Sequence, residues 1–240
     1  MSKKRLDILL VERGLIESRS QAQALILAGK VTVDGEVSSK SGNLIDEDSF
    51  IEIAQRPPYV SRGGIKLAHA LDEFGIEVAS MIALDIGAST GGFTDCLLQR
   101  GVKKVYAIDV GYGQIDYGLR QNSKVVVMDK TNVHYPFSIS EKADLATIDL
   151  SFISVTKVIP NIIEHLDESG RFIILLKPQF EAGRKEIGRK GVIKDPQVHA
   201  RVLGRFISWV VGYGLRLGSL IASPILGAEG NKEFLILLYR

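Results

Sequence analysis

The chain has 240 residues, 45% of them apolar, which allows either one large core or a small domain followed by a medium one. Its formal net charge of +2 at pH 7 excludes a strongly basic chain, so any surface that binds nucleic acid must be local. The single cysteine, Cys96, excludes an internal disulfide and a cysteine-rich zinc site, and no metal site is predicted.

The first residues of the chain are not expected to form a targeting signal. Met1-Ser-Lys-Lys-Arg-Leu-Asp is charged, and no apolar region of the kind found in signal peptides follows it. No stretch approaches the roughly 18 uncharged apolar residues that a membrane helix needs. We therefore expect a cytoplasmic protein that does not associate with membranes.

Residues 1–55 are predicted to form a small α+β domain. Apolar residues from Leu6 to Leu10 share one helical face, and a second helix begins after the capping residue Ser18 and ends before Gly29. Asp34-Gly35 lies between two β-prone runs, which predicts a tight hairpin, and a further short strand follows. A domain of this size is near the lower limit for independent stability.

Two adjacent prolines, Pro57 and Pro58, interrupt helix and strand, so residues 56–60 are predicted to be a linker. Strands and helices alternate over 61–240, which predicts a Rossmann-like α/β domain with a mostly parallel sheet. The connection between the last two strands is too short for a crossover helix, so the last strand is predicted to be antiparallel. The predicted strands are 81–86, 104–108, 124–128, 145–148, 171–176, 215–222 and 234–239, and the predicted helices are 64–74, 91–99, 155–166 and 197–211.

A glycine-rich turn, Asp85-Ile-Gly-Ala-Ser-Thr-Gly-Gly-Phe-Thr, follows the first strand of the larger domain. Its spacing differs from the G-x-G-x-x-G of dinucleotide sites, which hold a pyrophosphate at a helix N-terminus. Aspartates end this strand and the next three, and the carboxyl ends of parallel strands meet at the edge where ligands bind. Acidic groups there suit a cationic sulfonium, a ribose and an adenine, which favours S-adenosylmethionine (SAM) as the cofactor.

Asp109 is predicted to accept hydrogen bonds from both ribose hydroxyls, and Asp129 from the adenine amine. The alternative is that these aspartates only cap strands and turns. The predicted cofactor-binding residues are Asp85, Gly87, Ala88, Ser89, Gly91, Gly92, Phe93, Asp109, Val110, Asp129 and Lys130.

Four further motifs carry polar residues at the same predicted edge. They are Ser61-Arg-Gly-Gly-Ile-Lys-Leu, Asp149-Leu-Ser-Phe-Ile-Ser, Leu176-Lys-Pro-Gln-Phe-Glu and Gly230-Asn-Lys-Glu-Phe. With these motifs and the glycine-rich turn, the chain closely resembles the TlyA family over essentially its whole length. Members of that family are named both haemolysins and rRNA methyltransferases. The second half is also similar to the FtsJ-type ribose 2′-O-methyltransferases.

The resemblance implies a catalytic tetrad of Lys66, Asp149, Lys177 and Glu233 for methyl transfer to a ribose 2′-hydroxyl. Such a hydroxyl is a poor nucleophile, and a lysine at a strand end can stabilise the oxyanion that develops. We assign that role to Lys177, with Lys66 and Glu233 orienting the hydroxyl and holding Lys177, and Asp149 between cofactor and substrate. The sequence is compatible with Lys177 acting as a neutral base or as a charged stabiliser.

The resemblance also implies an N-terminal RNA-binding domain like that of ribosomal small-subunit protein four, and a cytidine of ribosomal RNA, within ribosomal subunits, as the target. Basic residues in this domain and in a glycine-bearing segment after Lys177 suit contacts with RNA phosphates. Solvated surface charge is the alternative explanation. The predicted RNA-binding residues are Lys4, Arg5, Arg19, Lys30, Arg62, Arg184, Lys185, Arg189 and Lys190.

Two other functions are compatible with the resemblance. One is a pore-forming haemolysin, against which the lack of a signal peptide and of a membrane-spanning stretch argues. The other is a non-catalytic RNA-binding protein that keeps SAM as a structural ligand. The oligomeric state is not predicted.

Overall fold

The structure is a computed structural model that describes residues 3–53, 57–183, 186–188, 191–227 and 229–240. Contacts between Cα atoms divide the chain into two units, Met1–Pro57 and Pro58–Arg240. The division falls within the stretch predicted to be a linker. On its C-terminal side, Val60 N donates to Asp95 Oδ2 at 2.8 Å, and Gln99 Nε2 donates to Pro58 O at 2.9 Å, so this part of the predicted linker belongs to the larger unit.

The smaller unit has two helices and two small antiparallel sheets, one of two strands and one of three. The first sheet pairs β1 (Lys3–Arg5) with β4 (Leu44–Asp46), and the second has the order β3 (Glu36–Val37), β2 (Val31–Val33), β5 (Ile51–Ile53). Its core contains Leu6, Leu10 and Ile26, each fully buried. The hairpin forms as predicted, with positive φ angles at Asp34 (53°) and Gly35 (86°), as a tight hairpin turn requires. The helices are α1 (Leu6–Glu12) and α2 (Arg19–Leu27).

The larger unit alternates strands and helices. Its helices are α3 (Arg62–Phe74), α4 (Gly92–Gln99), α5 (Tyr117–Arg120), α6 (Ile159–Ile163), α7 (Pro178–Glu181) and α8 (Pro196–Gly212). Its strands are β6 (Ile82–Ile86), β7 (Lys104–Ile108), β8 (Val125–Met128), β9 (Ala143–Ile148), β10 (Leu166–Leu176), β11 (Arg216–Ala222) and β12 (Phe234–Tyr239).

These strands form one sheet in the order β11-β12-β10-β9-β6-β7-β8. The pairs from β10 to β8 are parallel, and β12 is antiparallel to both β10 and β11, as predicted. The predicted α/β fold class is therefore confirmed. The strand order reverses between β6 and β9, and ligands of open α/β sheets bind at the carboxyl ends of the strands at such a reversal.

Both faces of the sheet are buried, which explains why its central strands read as continuous apolar runs. Along β10, Phe172 and Ile174 pack on the face covered by α6 and α8. Ile173 and Leu175 pack on the opposite face, covered by α3 and α4. In the described part of the chain, no helix is both long enough and apolar enough to cross a membrane.

The prediction of a single helix over 155–166 is wrong in its extent. A 3₁₀ turn covers Val155–Lys157 and α6 ends at Ile163, after which the chain enters β10 at the fully buried Leu166. The apolar residues that suggested one long helix belong to three successive elements. The short helices α5 and α7 were not predicted, because four residues are too few to establish a helical periodicity.

Candidate active site

The candidate site lies where the strand order reverses, at the carboxyl ends of β6 and β9. The glycine-rich turn follows β6, and Asp149 follows β9, with Asp149 N donating to Ile86 O at 2.9 Å. Together with the start of α3, these segments enclose a cavity of about 130 Å³. The cavity is lined by Ser61, Gly63, Lys66, Gly87, Ala88, Ser89, Thr90, Gly92, Phe93 and Asp149.

The four predicted catalytic residues form two ion pairs. Lys66 Nζ lies 2.5 Å from Glu233 Oε2, and the two side chains are 9% and 3% exposed. Lys177 Nζ lies 2.6 Å from Asp149 Oδ1 and donates to Ser151 Oγ at 3.0 Å. This pairing corrects the expectation that Lys66 and Glu233 hold Lys177, because each lysine has its own carboxylate.

The Asp149 carboxylate is held by Lys177 through its buried Oδ1, which lies 2.6 Å from Lys177 Nζ although the angle falls outside hydrogen-bonding geometry. Each carboxylate oxygen can accept more than one hydrogen bond, so Asp149 keeps acceptor capacity on the side that lines the cavity. A cationic ligand group in the cavity could share this carboxylate with Lys177.

The fold explains why residues so distant in sequence meet here. Lys177 precedes Pro178, which disfavours helix at that position, and it is extended (φ −108°, ψ 103°) at the end of β10. Because β12 runs antiparallel, its start lies beside the end of β10, with Phe234 paired to Leu176. Glu233, just before β12, is therefore brought to the same edge of the sheet as Lys177.

A second, smaller cavity of about 40 Å³ lies beside the first and shares Gly87 with it. Asp109 lines this cavity, and its two oxygens accept from Ser89 N (2.8 Å) and Gly111 N (2.7 Å). Each carboxylate oxygen can accept a second hydrogen bond, so Asp109 keeps capacity for a ligand hydroxyl. Val110 also lines this cavity.

Asp129 has a partner that the sequence did not indicate. Its Oδ2 accepts from Arg120 Nη2 at 2.7 Å, and this hydrogen bond is the main reason why the pKa of Asp129 is lowered. An adenine amine bound by Asp129 would share the carboxylate with Arg120. Lys130 is in the left-handed region (φ 56°), and its Nζ lies 4.7 Å from the centre of the Tyr112 ring.

Asp85 lies beneath the glycine-rich turn and is absent from the cavity lining. It is fully buried and accepts from Thr94 Oγ1 at 2.6 Å, with Thr147 Oγ1 at 3.4 Å. Burial raises the pKa of its carboxyl to about 7. The geometry therefore gives Asp85 a supporting position rather than direct access to a ligand.

This raised pKa predicts how stability depends on pH. Between the ordinary value of 3.8 and about 7, the folded state binds more protons at Asp85 than the unfolded state does. The contribution of Asp85 to the free energy of unfolding is therefore largest below pH 4 and falls as the pH rises through this window. Asp85→Asn, which stays neutral, should be more stable than the wild type at pH 8 by roughly 1–3 kcal/mol, and by less at pH 5. Urea unfolding of both proteins at the two pH values measures this, and a difference independent of pH would contradict it.

The predicted RNA-binding residues of the smaller unit differ in their surroundings. Lys4 is paired with two carboxylates, Glu12 at 2.8 Å and Glu47 at 3.5 Å. Arg5 and Arg19 both contact the buried Asp7.

Lys30 and Arg62 are exposed, and Arg62 donates to Leu226 O in the connection between β11 and β12. Four predicted RNA-binding residues, Arg184, Lys185, Arg189 and Lys190, lie outside the described residues.

One aromatic ring is presented at the edge of the site. Phe152 is 91% exposed, has a positive φ of 68°, and its ring centre lies 5.1 Å from that of Phe180. An exposed ring on a left-handed backbone three residues after Asp149 suits stacking on a base. Phe93 is 3% exposed and packs in the core, so its ring is not available in the same way.

Sequence reasoning missed several residues of the site. Ser61, Gly63 and Thr90 line the larger cavity, and their place in motifs next to Lys66 and the glycine turn was a usable signal. Arg120 had no signal of its own, because only the fold brings it to Asp129.

Comparisons with known proteins match both units. The sequence model of the FtsJ-like methyltransferases matches residues 59–240, and that of the S4 domain matches residues 4–51. A Bacillus subtilis protein, provisionally named an rRNA methyltransferase, is 48% identical over 99% of this chain and 86% of its own. The 16S/23S rRNA (cytidine-2′-O)-methyltransferase TlyA of Mycobacterium tuberculosis is 41% identical over 98% of this chain and 89% of its own.

Solved structures match as well. A Streptococcus thermophilus protein, provisionally named a hemolysin, is 41% identical with a TM-score of 0.76, over 100% of this chain and 89% of that one. A SAM-dependent methyltransferase from Mesorhizobium loti has a TM-score of 0.55 over 72% of this chain and 96% of its own, at 14% identity, and so shares the fold alone.

Proposed function

The chain belongs to the FtsJ-like methyltransferase family, and from this premise we propose that it transfers the methyl group of SAM to a ribose 2′-hydroxyl of cytidine in ribosomal RNA. The relatives named above as rRNA methyltransferases, and the S4 domain at residues 4–51, support RNA as the substrate. Ribosomal subunits are the proposed form of that RNA, and the cytoplasm is the proposed location.

The observation that carries the proposal is the cavity between the glycine-rich turn and the two ion pairs. Gly87, Ala88 and Ser89 line one side of it, and Lys66 and Asp149 line another. Backbone that can approach a ligand closely therefore faces both a carboxylate and an ammonium group. This combination suits a cationic methyl donor next to a hydroxyl that must lose its proton.

The residues present fit SAM, which would supply a methyl group on a positively charged sulfur. Asp109 would hold the ribose of the cofactor, and the Asp149 carboxylate, which lines the cavity, would face its cationic end. The glycine-rich turn would approach the cofactor with its backbone. No dinucleotide-type pyrophosphate site is needed, in agreement with the spacing of the glycines.

In the transfer, a bond forms between the 2′-oxygen and the methyl carbon while the carbon–sulfur bond breaks. The hydroxyl proton passes to Lys177 if that lysine is neutral, or to solvent if it is charged, and S-adenosylhomocysteine leaves. Lys177, held by Asp149 at 2.6 Å, would stabilise the developing oxyanion, and Lys66, held by Glu233 at 2.5 Å, would orient the hydroxyl. Alignment of oxygen, methyl carbon and sulfur would provide much of the acceleration.

Phe152 would stack on the base of the target nucleotide, because its ring is exposed and follows Asp149 by three residues. The basic segment over 184–190 is proposed, from its sequence, to bind the RNA backbone near the site.

The test is the transfer of tritiated methyl groups from SAM to purified 16S and 23S rRNA and to ribosomal subunits. We expect labelled RNA in which the modified nucleotide resists alkaline cleavage, because a 2′-O-methyl group removes the attacking hydroxyl. Mass spectrometry of the nucleosides should identify 2′-O-methylcytidine. Label on a base, or no label on any of these RNAs, would contradict the proposal.

A further inference from the structure

The smaller unit contains a carboxylate that the proposed methyl transfer does not use. Asp7, on the first turn of α1, is fully buried. Its Oδ1 accepts from Arg5 Nε at 3.0 Å. Its Oδ2 accepts from Arg5 Nη2 (3.0 Å), Arg19 Nε (3.0 Å) and Gln23 Nε2 (2.7 Å). These hydrogen bonds hold the pKa of Asp7 well below its usual range.

The two arginines come from different elements and converge on this one group. Arg5 ends β1, and Arg19 begins α2. Their side chains remain 42% and 53% exposed, although the carboxylate between them is not exposed at all. Because Arg19 contacts Asp7 through Nε, its two terminal nitrogens are not used in that contact, and Arg5 likewise keeps Nη1.

The charges of this cluster suit a phosphodiester. Two guanidinium groups and one carboxylate carry a net charge of +1, and a backbone phosphate carries −1. An approaching RNA would meet the guanidinium groups and not the buried carboxylate, and arginine forks match phosphate geometry. By contrast, Lys4 contacts the exposed carboxylates of Glu12 and Glu47.

Without Asp7, two like charges would be left side by side. At short range in partly buried surroundings, their repulsion would drive the two side chains apart. A long arginine side chain released in this way also regains rotamer freedom, which must be lost again when RNA binds.

We propose that Asp7 is a positioning residue that holds Arg5 and Arg19 together as one phosphate-binding unit for structured RNA. The inference rests on the proposed function, because it takes RNA as the partner of the S4 domain. It adds that the affinity of this domain for RNA depends on a negative charge placed beneath its binding surface.

Asp7→Asn in the full-length protein tests the proposal, because two explanations predict opposite changes in RNA affinity. Simple electrostatics predicts tighter RNA binding, since a negative charge near the RNA is removed. Positioning predicts weaker binding, by about tenfold, because charge-assisted hydrogen bonds to the arginines are lost. The readouts are the dissociation constants for in vitro transcribed 16S and 23S rRNA and their dependence on salt, whose slope should fall by about 1.

The same substitution in a second protein variant distinguishes a positioning role of Asp7 from a loss of folding. The Arg5→Gln, Arg19→Gln double variant should also bind RNA more weakly. Adding Asp7→Asn to it should cause little further loss of affinity, because Asp7 acts through these two side chains. An equal loss in both backgrounds would overturn the proposal. Unchanged or tighter binding of the folded Asp7→Asn protein would also overturn it.

Matched controls allow the role of Asp7 in RNA binding to be judged separately from the proposed methyltransferase activity. Asp72→Asn removes a similar two-bond contact with Arg100 (2.6 and 3.0 Å) in the larger unit and should leave RNA binding unchanged. The circular dichroism spectrum and SAM affinity of Asp7→Asn should match the wild type. If the wild type binds rRNA but transfers no methyl group, the proposed function fails while the role of Asp7 is still measured.

Discussion

Lys177→Ala is expected to lower the rate of methyl transfer to rRNA by at least about 100-fold while SAM binding stays nearly unchanged. The substitution removes the ammonium group that lies 3.0 Å from Ser151 and 2.6 Å from Asp149, which lines the cavity. In the proposed reaction, that group stabilises charge on the attacking oxygen. Single-turnover transfer of tritiated methyl groups measures the rate, and calorimetric titration measures SAM affinity.

Lys104→Ala is the matched control. Lys104 is also paired with a carboxylate, that of Glu141, but it begins β7 and so lies at the opposite edge of the sheet from the site. Its loss should leave methyl transfer unchanged. Full activity of Lys177→Ala, or loss of SAM binding in step with activity, would contradict the role given to Lys177.

Lys177→Arg distinguishes the two chemical roles that the sequence left open. Arginine keeps a positive charge but does not lose its proton at ordinary pH, so it cannot serve as a base. Substantial activity in this variant would indicate a charged stabiliser. Activity as low as that of the alanine variant, with a rate in the wild type that rises with pH, would indicate a base.

The architecture of the larger unit was predictable because its strands are buried on both faces. A run such as Phe172 to Leu176 must be a strand within a covered sheet, because alternate residues pack on opposite cores. The short connection between the last two strands predicted the antiparallel β12. What could not be predicted was where β10 begins, because the apolar Leu166 fits the end of a helix as well as the start of a strand.

The four charged residues of the site could be predicted from the sequence, but the ion pairs between them could not. The resemblance named Lys66, Asp149, Lys177 and Glu233, and the fold brings Lys66 and Asp149 into the lining of one cavity. Which lysine pairs with which carboxylate depends on how side chains pack in three dimensions, and Lys66 and Glu233 are 167 positions apart in the sequence. Sequence patterns carry no information on such pairs.

The same limit applies to the predicted adenine contact. Asp129 was identified from its place after a strand, but its partner Arg120 comes from the short helix α5. A local signal for that helix existed, because Asp116 caps it by accepting from Gly118 N at 2.8 Å. Nothing in the sequence indicated that the last residue of the helix would reach Asp129.

Gly87→Ala is expected to weaken SAM binding by at least about tenfold and to lower the free energy of unfolding by about 2–4 kcal/mol. Gly87 has a φ of 84°, which L-residues other than glycine rarely adopt. A Cβ at this position would also overlap the backbone oxygen of Asp149. The side chain of Asp149 is ion-paired with Lys177. Any backbone shift that relieves the overlap would therefore displace both Asp149 and Lys177.

Gly101→Ala separates the effect of the positive φ from the effect of the Cβ overlap. Gly101 has nearly the same φ of 82°, but the nearest atom to an added Cβ is Ala79 Cβ at 3.9 Å, an ordinary contact. In this variant the free energy of unfolding should fall only by the cost of the positive φ, about 1–2 kcal/mol. The variant should bind SAM as the wild type does. Thermal unfolding and SAM titration of both variants measure the difference. Equal losses of stability with equal SAM affinities would mean that the close approach of Gly87 to Asp149 does not shape the cofactor site. Larger losses of both stability and SAM affinity in Gly87→Ala than in Gly101→Ala would mean that the close approach of Gly87 to the Asp149 backbone shapes the cofactor site.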